Sequence, residues 1–188
     1  MKAIPFSELP EVLLIEPRVF RDGRGYFLET YHEDRYEQAG IPRLLVQANQ
    51  SSSVPGVLRG LHYQWPAPQG KLVRVLHGRV WDVAVDIRVD SPTFGVSVSA
   101  ELSGDNFRQL WIPPGFAHGF AVLGDVPATL AYLCTEAYNP AYDRAVRWDD
   151  PDLAVRWPLS SPLLSDKDRG APLLADLRRA NLLPIGLS

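Results

Sequence analysis

The chain has 188 residues and a mass of 21.0 kDa, enough for one domain with a sizeable hydrophobic core and too little for two ordinary ones. Hydrophobic residues make up 46% and charged residues 22%, a globular balance that excludes wholesale disorder. A net charge of −3 supplies no field for a polyanion, which excludes nucleic acid as an expected partner.

In chain order, Glu11–Val19 and Gly25–Tyr31 read as strands around the turn Asp22-Gly23-Arg24-Gly25. Glu33–Gly40 reads as a short helix closed by Gly40 and Pro42. Further strands are expected at Leu44–Gln50, Val57–Gln64, Lys71–His77, Arg79–Arg88, Thr93–Leu102, Arg108–Ile112, Gly119–Leu123 and Ala128–Tyr138. Pro172–Asn181 reads as a terminal helix with proline in its first turn. Many short strands without alternating helices point to an all-β jelly roll with short flanking helices, not to α/β. With no linker or repeat, residues 1–188 are expected to form a single domain, its jelly-roll core over about 11–158. The lone Cys134 excludes an internal disulfide and a Cys-rich zinc site. No apolar run reaches the length of a membrane span and the start has no signal-peptide core, so a cytoplasmic protein without a membrane partner is expected.

Strand alternation sorts the polar residues. His62 and Gln64 share a face with Leu58 and Gly60, Lys71 with Val73, Val75 and His77, and Tyr132 with Cys134, Glu136 and Tyr138. If those faces point inward, one cavity collects a base, an ammonium and two phenols, a set suited to acid–base work on a carbonyl compound. Arg59 falls on the face opposite His62 unless the strand bends or bulges between them. His32 and His77 read as loop and turn residues, Cys134 as a small buried hydrophobe, and the five Trp as packing.

Pro113-Pro114-Gly115-Phe116-Ala117-His118 resembles the second cupin motif, Pro-x-Gly-x-x-His. The first motif needs His-x-His, whereas this chain has His62-Tyr63-Gln64; glutamine is a poor ligand for a first-row metal, and no metal is expected.

A wider set extends the resemblance. It includes Phe20-Arg21-Asp22-Gly23-Arg24-Gly25-Tyr26-Phe27-Leu28-Glu29, Gly56 through Gln64, Gln69-Gly70-Lys71 and Asp82-Val83. Ser91-Pro92-Thr93-Phe94-Gly95, Tyr132, Tyr138-Asn139-Pro140, Trp148 through Trp157-Pro158 and Ser165-Asp166-Lys167-Asp168 complete it. In that order they resemble the dTDP-4-dehydrorhamnose 3,5-epimerase family of the cupin superfamily.

The resemblance implies inversion of carbons 3 and 5 of a dTDP-4-keto-6-deoxyhexose without a cofactor. It implies His62 as base, Asp168 as its carboxylate partner, Lys71 at the enolate oxygen and Tyr132 as acid. Tyr138 would stack on thymine, and Arg24, Phe27, Glu29, Gln47, Asn49, Arg59 and His118 would contact the sugar nucleotide. Arg24, Phe27 and Glu29 would reach the neighbouring subunit's site, implying a homodimer. Asp143 stands where the family usually has Glu and receives no role. The rival readings are a single-centre epimerase, a metal-dependent cupin oxygenase and a non-catalytic sugar-binding cupin.

Overall fold

The computed structural model describes residues 1–187; Ser188, the last residue of the expected domain, lies outside them. The strands, in chain order, are β1 (Lys2–Pro5), β2 (Leu13–Glu16), β3 (Val19–Asp22), β4 (Gly25–Leu28), β5 (Gln47–Ser53), β6 (Leu58–Gln64) and β7 (Lys71–His77). They continue as β8 (Arg79–Asp86), β9 (Ser97–Ser103), β10 (Gln109–Ile112), β11 (Phe116–Leu123), β12 (Ala128–Cys134) and β13 (Asp143–Ala145). The helices are α1 (Glu33–Gln38), α2 (Asp166–Arg169) and α3 (Leu174–Arg179).

Two antiparallel sheets face each other, ordered β1-β2-β10-β7-β12-β5 and β13-β6-β11-β8-β9, and β3–β4 forms a separate hairpin. The sandwich follows from period-2 burial. Val73, Val75, Leu110 and Leu130 from the first sheet meet Val80, Ala84, Val98, Phe116 and Phe120 from the second. Full burial of each Val, Leu or Phe among them contributes roughly 1.5–3 kcal/mol.

The outer faces are covered as well. Leu61, Tyr63, Val83, Val85 and Ala117 on the second sheet lie under Leu174, Leu177 and Leu183 of the C-terminal tail. Ile15, Leu72 and Trp111 on the first sheet lie under Tyr36 and Ile41. The all-β jelly roll with few, short helices is the architecture expected from the strand pattern.

Local differences have physical causes. The segment expected as one strand over Glu11–Val19 divides into β2 and the start of β3. β5 runs later than expected, β9 starts only after the Pro92–Gly95 turn, and β12 stops at Cys134, leaving Tyr138 in a loop. The alternation rule missed β1, β13 and α2, which are too short to show a period.

Two bulges change which residues face inward. On β6–β11, His62 pairs with His118 and Arg59 with Phe120, three steps against two, so one extra residue sits on β6. This puts Arg59 on the His62 face and takes Leu58 off it, correcting the regular alternation. Gly60 makes the bulge possible: its φ is +134°, and a Cβ there would lie 2.6 Å from the Gly119 Cα. On β7–β12, His77 pairs with Thr129 and Val75 with Leu130, so His77 leaves the face of Lys71, contrary to simple alternation.

Candidate active site

The inward faces converge at one end of the sandwich around a cavity of about 270 Å³. Its walls carry His62 and Gln64 from β6, Lys71 from β7, Gln47 and Asn49 from β5, and Tyr132 from β12, with Tyr138, Asp143 and Lys167 at its edge. The sheets therefore bring together the base, the ammonium and both phenols that strand alternation pointed to, although Tyr138 arrives from a loop.

His62 meets Asp168 across the fold, with Nε2 2.5 Å from Oδ1. A carboxylate can only accept, so Nε2–H donates and Nδ1 is left with the lone pair. Asp168 is nearly inaccessible and is presented by α2, whose N-cap Ser165 accepts a hydrogen bond from the Asp168 amide. Burial alone would raise the Asp168 pKa, but the His62 hydrogen bond and charge, with Ser165 and Lys167, hold it below the usual carboxylate value. The dyad is thus an ionised carboxylate orienting an imidazole.

Lys71 lies opposite Cys134 in the ladder and opens partly to the cavity. Burial pushes its pKa below the usual lysine range, while Cys134, Asp143 and Asp82 pull the other way. Burial raises the Tyr132 phenol, helped by Cys134 and opposed by Arg59, so it is held protonated as a donor. Burial likewise raises Cys134, keeping it a neutral thiol.

A chain of amides shapes one wall. Gln47 accepts from the Tyr138 amide at 2.7 Å and donates to Asn49 at 2.9 Å, and Asn49 donates to Cys134 Sγ at 3.7 Å. Gln64 is fully engaged with backbone: it donates to the Ala67 and Ala137 carbonyls and accepts from the Asn139 amide. It staples the loop that carries Tyr138.

Other expected site residues lie elsewhere. Arg59 shares the inward face but bonds Ser53 Oγ and the Ser52 carbonyl, outside the cavity wall. His118 is buried behind His62, donating from Nε2 to Asp82 at 2.9 Å. Arg24 pairs with Asp22 on the β3–β4 hairpin, Glu29 with Arg35, and Phe27 projects into solvent; none reaches this chain's own cavity. Asp143, given no role from the sequence, does reach it: it accepts from Lys167 Nζ at 2.5 Å and from the Tyr138 hydroxyl at 3.2 Å. Lys167 was overlooked, although it adjoins Asp168 and is one of only 3 Lys in the chain.

Comparison with known proteins bears on this geometry. The model of the dTDP-4-dehydrorhamnose 3,5-epimerase family matches residues 7–176. A Pseudomonas aeruginosa dTDP-4-dehydrorhamnose 3,5-epimerase is 52% identical over 178 residues, covering 94% of this chain and 97% of that protein. A Neisseria gonorrhoeae protein of the same name is 51% identical over 94% of this chain, and the chain spans 54% of its length. Among solved structures, the Legionella pneumophila dTDP-6-deoxy-D-glucose-3,5-epimerase in complex with dTDP-4-keto-L-rhamnose superposes with a TM-score of 0.93 at 50% identity. That match covers 100% of this chain and 99% of that one. The chain belongs to the dTDP-4-dehydrorhamnose 3,5-epimerase family, whose members are isomerases acting on sugar nucleotides.

Proposed function

We propose that the protein inverts carbons 3 and 5 of dTDP-4-dehydro-6-deoxy-D-glucose, giving dTDP-4-dehydro-L-rhamnose, with no cofactor. The observation that carries this reading is the His62–Asp168 dyad sharing one small cavity with Tyr132 and Lys71. A ketone at carbon 4 acidifies the hydrogens on both neighbouring carbons, because the carbanion left behind delocalises onto the ketone oxygen. His62 Nδ1 takes the proton, and Asp168 stabilises the imidazolium that forms. Lys71 faces the oxygen on which charge develops. Tyr132, on the opposite sheet, returns a proton to the other face of the ring; solvent then takes the proton from His62 and reprotonates Tyr132, and the cycle repeats at the second carbon.

The cavity encloses only part of a sugar nucleotide, so the nucleoside lies at the open rim beside exposed Tyr138, whose ring suits base stacking. Gln47 and Asn49 line the sugar, with Arg59 and His118 behind it. Arg24, Phe27 and Glu29 act on a second subunit. The β3–β4 hairpin leaves Phe27 70% exposed, with Phe20 and Tyr26 also open, which suits a homodimer in which each hairpin closes its neighbour's site.

The test is incubation with the 4-keto sugar nucleotide in deuterated water, followed by NMR at carbons 3 and 5. Deuterium and inversion at both positions are expected. Exchange at one carbon alone assigns a single-centre epimerase, and none at either removes the reading.

A further inference from the structure

Asp82 is fully buried between the two sheets, and one of its oxygens is idle. Its Oδ1 accepts from His118, whereas Oδ2 has no hydrogen-bond partner among the described residues. A carboxylate oxygen taken out of water and left bare is costly, so its retention calls for a compensating charge. Lys71, on the inward face of the facing sheet, is a cation in the same interior, and it belongs to none of the ion pairs within 4.0 Å among the described residues. The other carboxylates of the cavity are committed, Asp168 to His62 and Asp143 to Lys167. From the bare Oδ2 and the unpaired ammonium, we infer that Asp82 is a positioning residue, the buried counter-charge that keeps Lys71 protonated while its other oxygen fixes the His118 ring.

The other groups around Lys71 are neutral or already committed to partners of their own. Cys134 and Tyr132 of β12 are held neutral by burial, and Lys167 of α2 repels. Asp143 of β13 exerts the larger pull, yet its oxygen already serves Lys167 and Tyr138 at the cavity edge, whereas Asp82 Oδ2 serves no partner among the described residues. His62 of β6 and His118 of β11 spend Nε2 on their own carboxylates. Asp82 does pull Lys71 toward its protonated form, and it works across a gap rather than by contact, where low dielectric preserves its reach.

The inference rests on the reading of Lys71 as the group facing the enolate oxygen, and the experiment separates the two. The chain has only Lys2, Lys71 and Lys167, so labelling the lysine ε-carbons with ¹³C gives three titrating NMR signals, assignable with Lys71→Arg and Lys167→Arg. In folded Asp82→Asn, the Lys71 midpoint should fall by about one pH unit, and the alkaline loss of kcat/KM should move down with it. Asp82→Glu should restore both. An unmoved Lys71 midpoint in folded Asp82→Asn overturns the inference. A midpoint that moves while the rate profile stays removes Lys71 from the reaction and leaves the counter-charge standing. Should Asp82→Asn not fold, Lys71→Met is read from the other side: the Asp82 carboxyl carbon should titrate at higher pH than in the parent, and no change overturns the inference.

Discussion

His62 and Asp168 stand 106 positions apart in the chain and 2.5 Å apart in the fold, one on a central strand and the other on a four-residue helix. On the proposed mechanism, that pair makes the imidazole a directed base rather than a free one. His62→Ala is expected to fold and to lose about 10²–10⁴-fold in kcat. Asp168→Asn should lose activity too, since an amide cannot stabilise the imidazolium. Steady-state rates decide it, and turnover of His62→Ala within a few-fold of the parent would sink the assignment.

The same carboxylate sets an acid limb for stability. Its pKa is below 3.8 in the fold, so ionised Asp168 stabilises the protein above that ordinary value, and the contribution is lost as pH falls through the lower folded value. The gap in thermal midpoint between the parent and Asp168→Asn, present at pH 6, should shrink once the pH is taken below the ordinary carboxylate value and close as it falls through the lower folded value. A gap that stays constant over this range would contradict the pairing.

Tyr132→Phe should separate exchange from inversion. His62 and Lys71 remain to form the enolate, while the donor on the far face is gone, so deuterium enters with retention and net inversion falls steeply. NMR stereochemistry at carbons 3 and 5 gives the answer, and undiminished inversion would remove Tyr132 from the mechanism.

Chelation is expected to leave turnover unchanged. Gln64, at the position where the cupin motif has its second histidine, has its amide nitrogen and oxygen committed to backbone partners. Activity that falls with chelator and returns with added metal would instead favour the cupin oxygenase reading.

Gly60→Ala tests the bulge. The added Cβ meets the Gly119 backbone at 2.6 Å in a conformation that L residues rarely adopt, so a loss of about 2 kcal/mol is expected in urea unfolding. A variant as stable as the parent would mean that the backbone relaxes freely there.

The strand pattern made the sandwich legible because burial on alternate residues is a local property. It also collected His62, Lys71 and Tyr132 on inward faces. What it could not carry was parity across a bulge: Arg59 and His62 share a face only because Gly60 adds a step, and His77 departs because Leu76 does. Asp168 was reached through family resemblance alone, since nothing in local spacing ties a tail residue to a central strand. Asp143 received no role because the family usually has Glu there, yet pairing of its strand with β6 sets it opposite Gln64 and beside the cavity. Asp82 entered only as part of the resemblance and received no role, because a carboxylate within an apolar strand looks the same in sequence whether its oxygens are satisfied or bare.

The placement of α2 ties chemistry to the timing of synthesis. Both sheets are complete once Ala145 has been made, and His62 is in place long before. A chain ending between these points and Asp168 would carry His62 without its anchor, without Lys167 at the cavity edge, and without the Leu174, Leu177 and Leu183 cover on the second sheet. On the proposed mechanism, competence waits until α2 has docked on β6, and replacing α2 would remove the anchor of His62 while leaving both sheets paired.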